Sequence, residues 1–128
     1  TKLENIIFKN SKMFGIRFDL CNEYSLEFSF ENCQLNYSSF YKVKIRKTIF
    51  KNSSLEEVDF SECNLTESVF SNCNLDRAIF NKTILEKVDF RTSYNYSIDP
   101  EINRIKKAKF SIFGISGLLN KYDIEIEK

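Results

Sequence analysis

Histidine and tryptophan are missing from this 128-residue chain, which has only one proline and three glycines. Without histidine there is no Ser-His-Asp or Cys-His nucleophile and no histidine-bearing zinc site. The four cysteines, Cys21, Cys33, Cys63 and Cys73, lack the paired short spacings of an all-cysteine zinc centre. A phosphate-cradling glycine loop is also absent, because "GISG" at 114–117 has no strand before it. So few glycines and prolines argue against a loop-rich or disordered chain. No apolar run approaches the roughly 18–20 residues that span a bilayer, and no signal sequence is legible from Thr1 onward. The net charge of +1 selects neither an acidic nor a basic partner, so any electrostatic role must come from how charge is distributed. These absences point away from an enzyme and call for no cofactor and no metal.

What is present is repetition. Every fifth residue from 30 to 90 is large and apolar: Phe30, Leu35, Phe40, Ile45, Phe50, Leu55, Phe60, Leu65, Phe70, Leu75, Phe80, Leu85 and Phe90. Neither a helix nor a strand has a period of five. Two residues before these centres, from position 33 onward, stand small or β-branched residues such as Cys33, Ser38, Val43, Thr48, Ser53, Val58 and Cys63. The other three positions of each pentad are mostly polar. Each pentad therefore turns one large and one small side chain inward. A longer period lies over the first, since 30, 50, 70, 90 and 110 are all Phe, and 45, 65, 85 and 105 are Ile or Leu. The unit is then four pentads, a square coil of twenty residues with one pentad per side. Coils would stack about 4.8 Å apart with backbone hydrogen bonds between them. Phe110 and Ile105 complete the expected core ladders.

"CNLTE" at 63–67 and "CNLDR" at 73–77 resemble the pentapeptide-repeat consensus: a small residue, Asn or Asp, Leu or Phe, then two polar residues. The resemblance covers nearly the whole chain. It implies an all-β fold, a right-handed quadrilateral β-helix, and leaves function almost open.

The expected solenoid spans 1–110, with a cap at 111–128. Leu3, Phe8, Met13 and Phe18 also run in fives, but "FKNS" at 8–11 and "FENC" at 30–33 are 22 residues apart. Two extra residues therefore form a bulge near 19–27, placed within Asn22–Ser25. The last coil, 91–110, is degenerate, with Asn95 and Pro100 at two centres, and one helical turn is expected after Pro100. In the cap, Ser111 is expected to begin a short helix carrying Ile112, Phe113, Ile115, Leu118 and Leu119. A final strand is expected where Ile124 and Ile126 alternate with Glu125 and Glu127. Such a cap covers the open end of the stack. The other end has no counterpart, so further coils or another molecule should cover it.

Cys33, Cys63 and Cys73 fall on inner small positions. Cys33 and Cys73 share a column about 9.6 Å apart, too far for a disulfide. Buried free thiols suit a reducing, cytoplasmic setting.

Sorted by side, one face is unbalanced: Lys44, Arg46, Lys47, Lys87, Arg104, Lys106 and Lys107 stand against Glu67 and Glu86. This stripe suits an acidic partner. Ile49, Val69, Tyr37 and Tyr41 form a smaller candidate patch. Phe113, Ile115, Leu118 and Leu119 could bury the same surface on two copies of the chain, forming a homodimer. The expected function is a non-catalytic scaffold for an unidentified protein partner, with direct nucleic-acid binding ranked lower and no membrane partner. The resemblance implies an alternative. The layout of "IDP" at 98–100, a final coil, a helix and a strand is similar to the quinolone-resistance pentapeptide-repeat proteins, which bind type II topoisomerases as DNA mimics. The acidic side that mimicry needs is missing here.

Overall fold

A computed structural model describes residues 4–21 and 26–127. Four strands, β1 (Glu4–Lys9), β2 (Leu26–Glu31), β3 (Ile49–Lys51) and β4 (Val69–Ser71), form one parallel sheet in chain order. Ser29, Ile49 and Val69 are in register, one coil of twenty residues apart. Single parallel bridges continue this register on the other sides, as in Ser54↔Asn74, Asp59↔Ile79 and Asn64↔Ile84. The chain is a parallel β-solenoid of four-sided coils.

The first turn keeps a different offset. Phe8 pairs with Phe30, Lys12 with Gln34 and Arg17 with Ser39, each 22 residues on. The two extra residues therefore fall between Arg17 and Leu26. A 3₁₀ turn, Phe18–Cys21, occupies part of that interval. The expected bulge at Asn22–Ser25 lies outside the described residues.

Most corners are β-turns closed by a backbone bond, for example from Ser38 N–H to the Leu35 carbonyl at 3.0 Å. At Cys33, Thr48, Cys73 and Thr83 the N–H donates instead to a side-chain oxygen of the next coil. The second residue after each centre has positive φ, from Tyr37 (66°) through Lys47 (60°) and Glu57 (56°) to Lys87 (59°). Type II turns require this at their third residue. Glycine would take it most easily, yet Asn, Lys, Glu, Arg and Tyr fill most of these corners, and packing on both sides enforces the geometry. Thr92 is an exception without positive φ, as its β-branch predicts.

The centres stack in columns. Phe30, Phe50, Phe70 and Phe90 lie 4.7–5.1 Å apart between ring centroids, nearly coplanar. Phe40, Phe60 and Phe80 form a second column at 5.3–5.4 Å, meeting the first edge-on. The centres from Phe30 to Phe90 are buried, whereas Ile105 and Phe110 are half-buried at the end of the stack. Hydroxyls on the inner small column tie coils together. Thr83 Oγ1 donates to the Phe60 carbonyl at 2.8 Å, and Ser93 Oγ donates to that of Phe70 at 2.6 Å. Each thereby satisfies a buried backbone acceptor.

The pattern breaks at Asn95, which is exposed with φ 64°. Tyr96 and Ile98 enter the interior instead, 4% and 1% exposed. Pro100 is followed by a turn, with Ile102 N–H 3.4 Å from the Asp99 carbonyl, rather than by a helical turn. Asn103 then fills the inner small position. It donates to the Phe80 and Asp99 carbonyls and accepts the Thr83 N–H.

Two 3₁₀ segments, Ile112–Leu118 and Asn120–Tyr122, close the end. The Ser111 side chain makes no capping bond. Gly114 and Gly117 are required for space. A Cβ on Gly117 would lie 2.4 Å from the Tyr96 carbonyl oxygen, and one on Gly114 would overlap the Tyr96 hydroxyl. The expected final strand does not form. Residues 123–127 are exposed and outside any ladder, because Ile–Glu alternation supplies a strand's pattern without a neighbouring edge to bond.

Candidate functional site

The parallel register sets the outward residues in columns. Lys44, Asn64, Ile84 and Arg104 bridge in sequence along one side. Backbone bonds from Lys47 N–H to the Thr66 carbonyl and from Lys87 N–H to that of Lys106 place the two columns beyond the centre on the same side. Lys44, Arg46, Lys47, Lys87, Arg104, Lys106 and Lys107 are all exposed there. Arg46 lies 3.7 Å from Glu67. The stripe is one surface with two dense ends: Lys44, Arg46 and Lys47 on one coil, and Lys87, Arg104, Lys106 and Lys107 on the last two. Three coil spacings separate its ends, about 14 Å at β spacing.

The smaller patch divides. Ile49 and Val69 are in register on one side, Ile49 exposed and Val69 half-buried. Tyr37 and Tyr41 are exposed around the next corners, where Lys42 Nζ lies 5.3 Å over the Tyr41 ring. The cap residues divide too. Phe113 is 85% exposed and Ile115 43%, while Leu118 packs against the core and Leu119 is half-buried. Ile112, 78% exposed, belongs with Phe113 on the open surface.

The described thiols point away from chemistry. Cys33, Cys63 and Cys73 are free and buried. Burial pushes the Cys63 thiol far up and that of Cys73 up to about 11, so neither is a ready nucleophile.

Two features escaped the pentad pattern. Glu56 accepts from the side-chain amides of Asn36 and Asn74 at 3.3 and 3.4 Å, linking three coils across the side opposite the basic stripe. An open cleft of about 420 Å³ lies between that side and the cap, with Asp76, Tyr94, Asn95, Phe113, Ser116 and Asn120 among its lining residues. It exists because Asn95 turns outward. The motif "NYSI" at 95–98, with Tyr96 one step past the expected centre and a large residue, Ile98, on the inner small column, carries that signal.

A family model described as a pentapeptide repeat region matches residues 27–95. No curated protein matches the sequence. Among solved structures, the fold is similar to HetL, a pentapeptide repeat protein involved in heterocyst differentiation regulation from the cyanobacterium Nostoc sp. strain PCC 7120. Identity is 20% and the TM-score 0.52, over 73% of this chain and 36% of HetL, so the chain spans about a third of that protein's length. QnrB1, a plasmid-mediated fluoroquinolone resistance protein, aligns in a trypsin-treated form at 14% identity and a TM-score of 0.39, over 98% of this chain and 97% of that one. Rfr23 from the cyanobacterium Cyanothece 51142 aligns at 14% identity and a TM-score of 0.33, over 83% and 88%. The likeness to HetL is one of fold. The matched repeat region covers more than half of the sequence, and the chain belongs to the pentapeptide-repeat family.

Proposed function

We propose that the chain is a non-catalytic scaffold whose basic side docks an acidic surface of a protein partner. The observation that carries this reading is the alignment of seven exposed cations on one side of a hydrogen-bonded stack. Held by the backbone ladder, these side chains present a fixed charge pattern, which favours orientation and fast association. The exposed cap residues Ile112, Phe113 and Ile115 leave a second surface open to another copy, and the homodimer belongs to the proposal. The buried free thiols support a reducing, cytoplasmic setting.

Topoisomerase binding by DNA mimicry ranks below this reading. The described acids are spread over all four sides, interleaved with Arg77, Lys42 and Lys82. Glu56, Glu57 and Asp76 are on one, Asp59, Glu62, Asp99 and Glu101 on the next, Glu67 and Glu86 on the basic side and Glu31 and Asp89 on the remaining one. The test compares affinity capture by the wild-type chain and by R46E/K47E/R104E/K107E, with circular dichroism to check that both are folded. A specific partner retained by the wild type and lost by the variant supports the basic side. A type II topoisomerase captured equally by both refutes it.

A further inference from the structure

The residues after Tyr122 carry an acidic, alternating pattern but pair with no sheet. Asp123, Glu125 and Glu127 alternate with Ile124 and Ile126, and all five are exposed. Among the described residues none of the three carboxylates forms an ion pair, whereas Lys121, just before them, is held by Asp99 and Glu101 at 3.2 and 2.6 Å. The cap is thus anchored up to Tyr122, and the residues beyond it are exposed and outside any ladder. One of the two dense ends of the basic stripe, Lys87, Arg104, Lys106 and Lys107, lies on the last two coils, at the end of the stack from which this segment leaves.

Resting on the reading of the basic side as a docking surface, we propose that this side receives residues 123–127 of a second copy of the chain. Charge matches: three carboxylates face seven cations. Reach matches as well. Five extended residues span about 17 Å, and the stripe extends over three coil spacings, about 14 Å. Alternation puts the carboxylates on one edge of the extended segment, leaving Ile124 and Ile126 on the other. The ring of Phe113 and the side chain of Ile112 are the most exposed apolar surface of the cap, to which those isoleucines can turn. Within one chain the segment makes no ion pair with the last coil among the described residues, and this commits the proposal to exchange between two copies. Two copies meeting cap to cap would each give a tail and each receive one, a closed isologous arrangement.

The test uses three full-length proteins: wild type, the tail-reversed D123K/E125K/E127K, and the stripe-reversed R46E/K47E/R104E/K107E. Self-association is read by sedimentation equilibrium at low and high salt. Wild type should associate more weakly in high salt, as exposed charges are screened. Each reversed protein alone should associate at least about tenfold more weakly, the worth of two or three surface ion pairs. An equimolar mixture of the two should regain wild-type association, because both tail–stripe contacts are again of opposite sign. A chain carrying both reversals tests the other geometry. Restoration there but not in the mixture would place the tail on its own chain and overturn the exchange. A monomeric wild type, or association that survives in both singly reversed proteins, also overturns it. If self-association fails while the stripe-reversed protein still loses its captured partner, the docking function stands and only the tail proposal falls.

Discussion

Replacing Phe70 by alanine should be among the most damaging single changes in the molecule. Its ring is 1% exposed, stacked between Phe50 at 4.7 Å and Phe90 at 5.1 Å, with Phe60 edge-on at 5.7 Å. A buried Phe→Ala change costs about 3–5 kcal/mol, depending on how far the site collapses. Here collapse is blocked. The backbone ladder holds the flanking rings at the coil spacing, so neither stacked neighbour can settle into the gap. Two stacked contacts and one edge contact are also lost, each worth about 0.5–1.5 kcal/mol beyond area burial. The upper end, about 5 kcal/mol, is therefore expected. A domain of this size has about 5–15 kcal/mol in total, so the variant should keep between almost none and about two thirds of its stability. Phe110→Ala is the control. That ring is half-buried and stacks on one side only, 5.4 Å from Phe90, so about 2 kcal/mol is expected. Phe70→Leu keeps the column filled and should cost under about 1.5 kcal/mol. Urea unfolding followed by circular dichroism measures all three. If Phe70→Ala costs no more than Phe110→Ala, the rigid-column argument is wrong.

Other outcomes follow from the cap and the inner column. Tyr96→Phe removes a buried hydroxyl without a hydrogen-bond partner and should be neutral or stabilising by about 1 kcal/mol in thermal unfolding; a clear loss would mean that the hydroxyl is satisfied. Asn103→Ala removes two donated bonds and one accepted bond and should cost about 2–3 kcal/mol in the same assay. Lys121 and Tyr122 hold Glu101 below its ordinary value, and the Glu101 N–H and Lys121 do the same for Asp99. Carboxylates lowered in the folded state contribute above their ordinary range, and that contribution is lost as pH falls through the lowered values. The cap should therefore become more susceptible to pepsin below about pH 4, and Lys121→Ala should flatten that dependence. Cys63 and Cys73, buried with raised thiols, should resist a thiol reagent at mildly alkaline pH until the chain unfolds. Rapid labelling of the native protein would contradict their placement.

The solenoid was legible because its rule is simple: one large inward residue in five without exception from Phe30 to Phe90, with a small or β-branched partner two residues before each centre from Leu35 on. The basic side was legible for the same reason, since a fixed period assigns every outward residue to a column. Where the period slips, the sequence misleads. Asn95 stands where a centre should be, and only the structure shows that Tyr96, one step later, goes inward in its place. The Ile–Glu alternation at 123–127 is a strand's pattern, but a strand needs an edge, and none is offered there. The cleft beside the cap depends on how a 3₁₀ segment settles over Tyr96, which two glycines permit and no local period announces.

The twenty-residue return also governs how such a chain can assemble itself. Leu35 bonds to Ser54, and Ser54 bonds back to Cys33, so each coil needs only the one beside it. The loop to be closed is nearly the same length at every step, and closure entropy grows only as the logarithm of that length. Once one pair of coils has nucleated, later coils add at a roughly constant cost and a roughly constant gain, as a zipper propagates. Opening should run in reverse, from the ends inward. Amide protons around Leu55–Leu75 should then exchange last, and those of the cap and the first coil early.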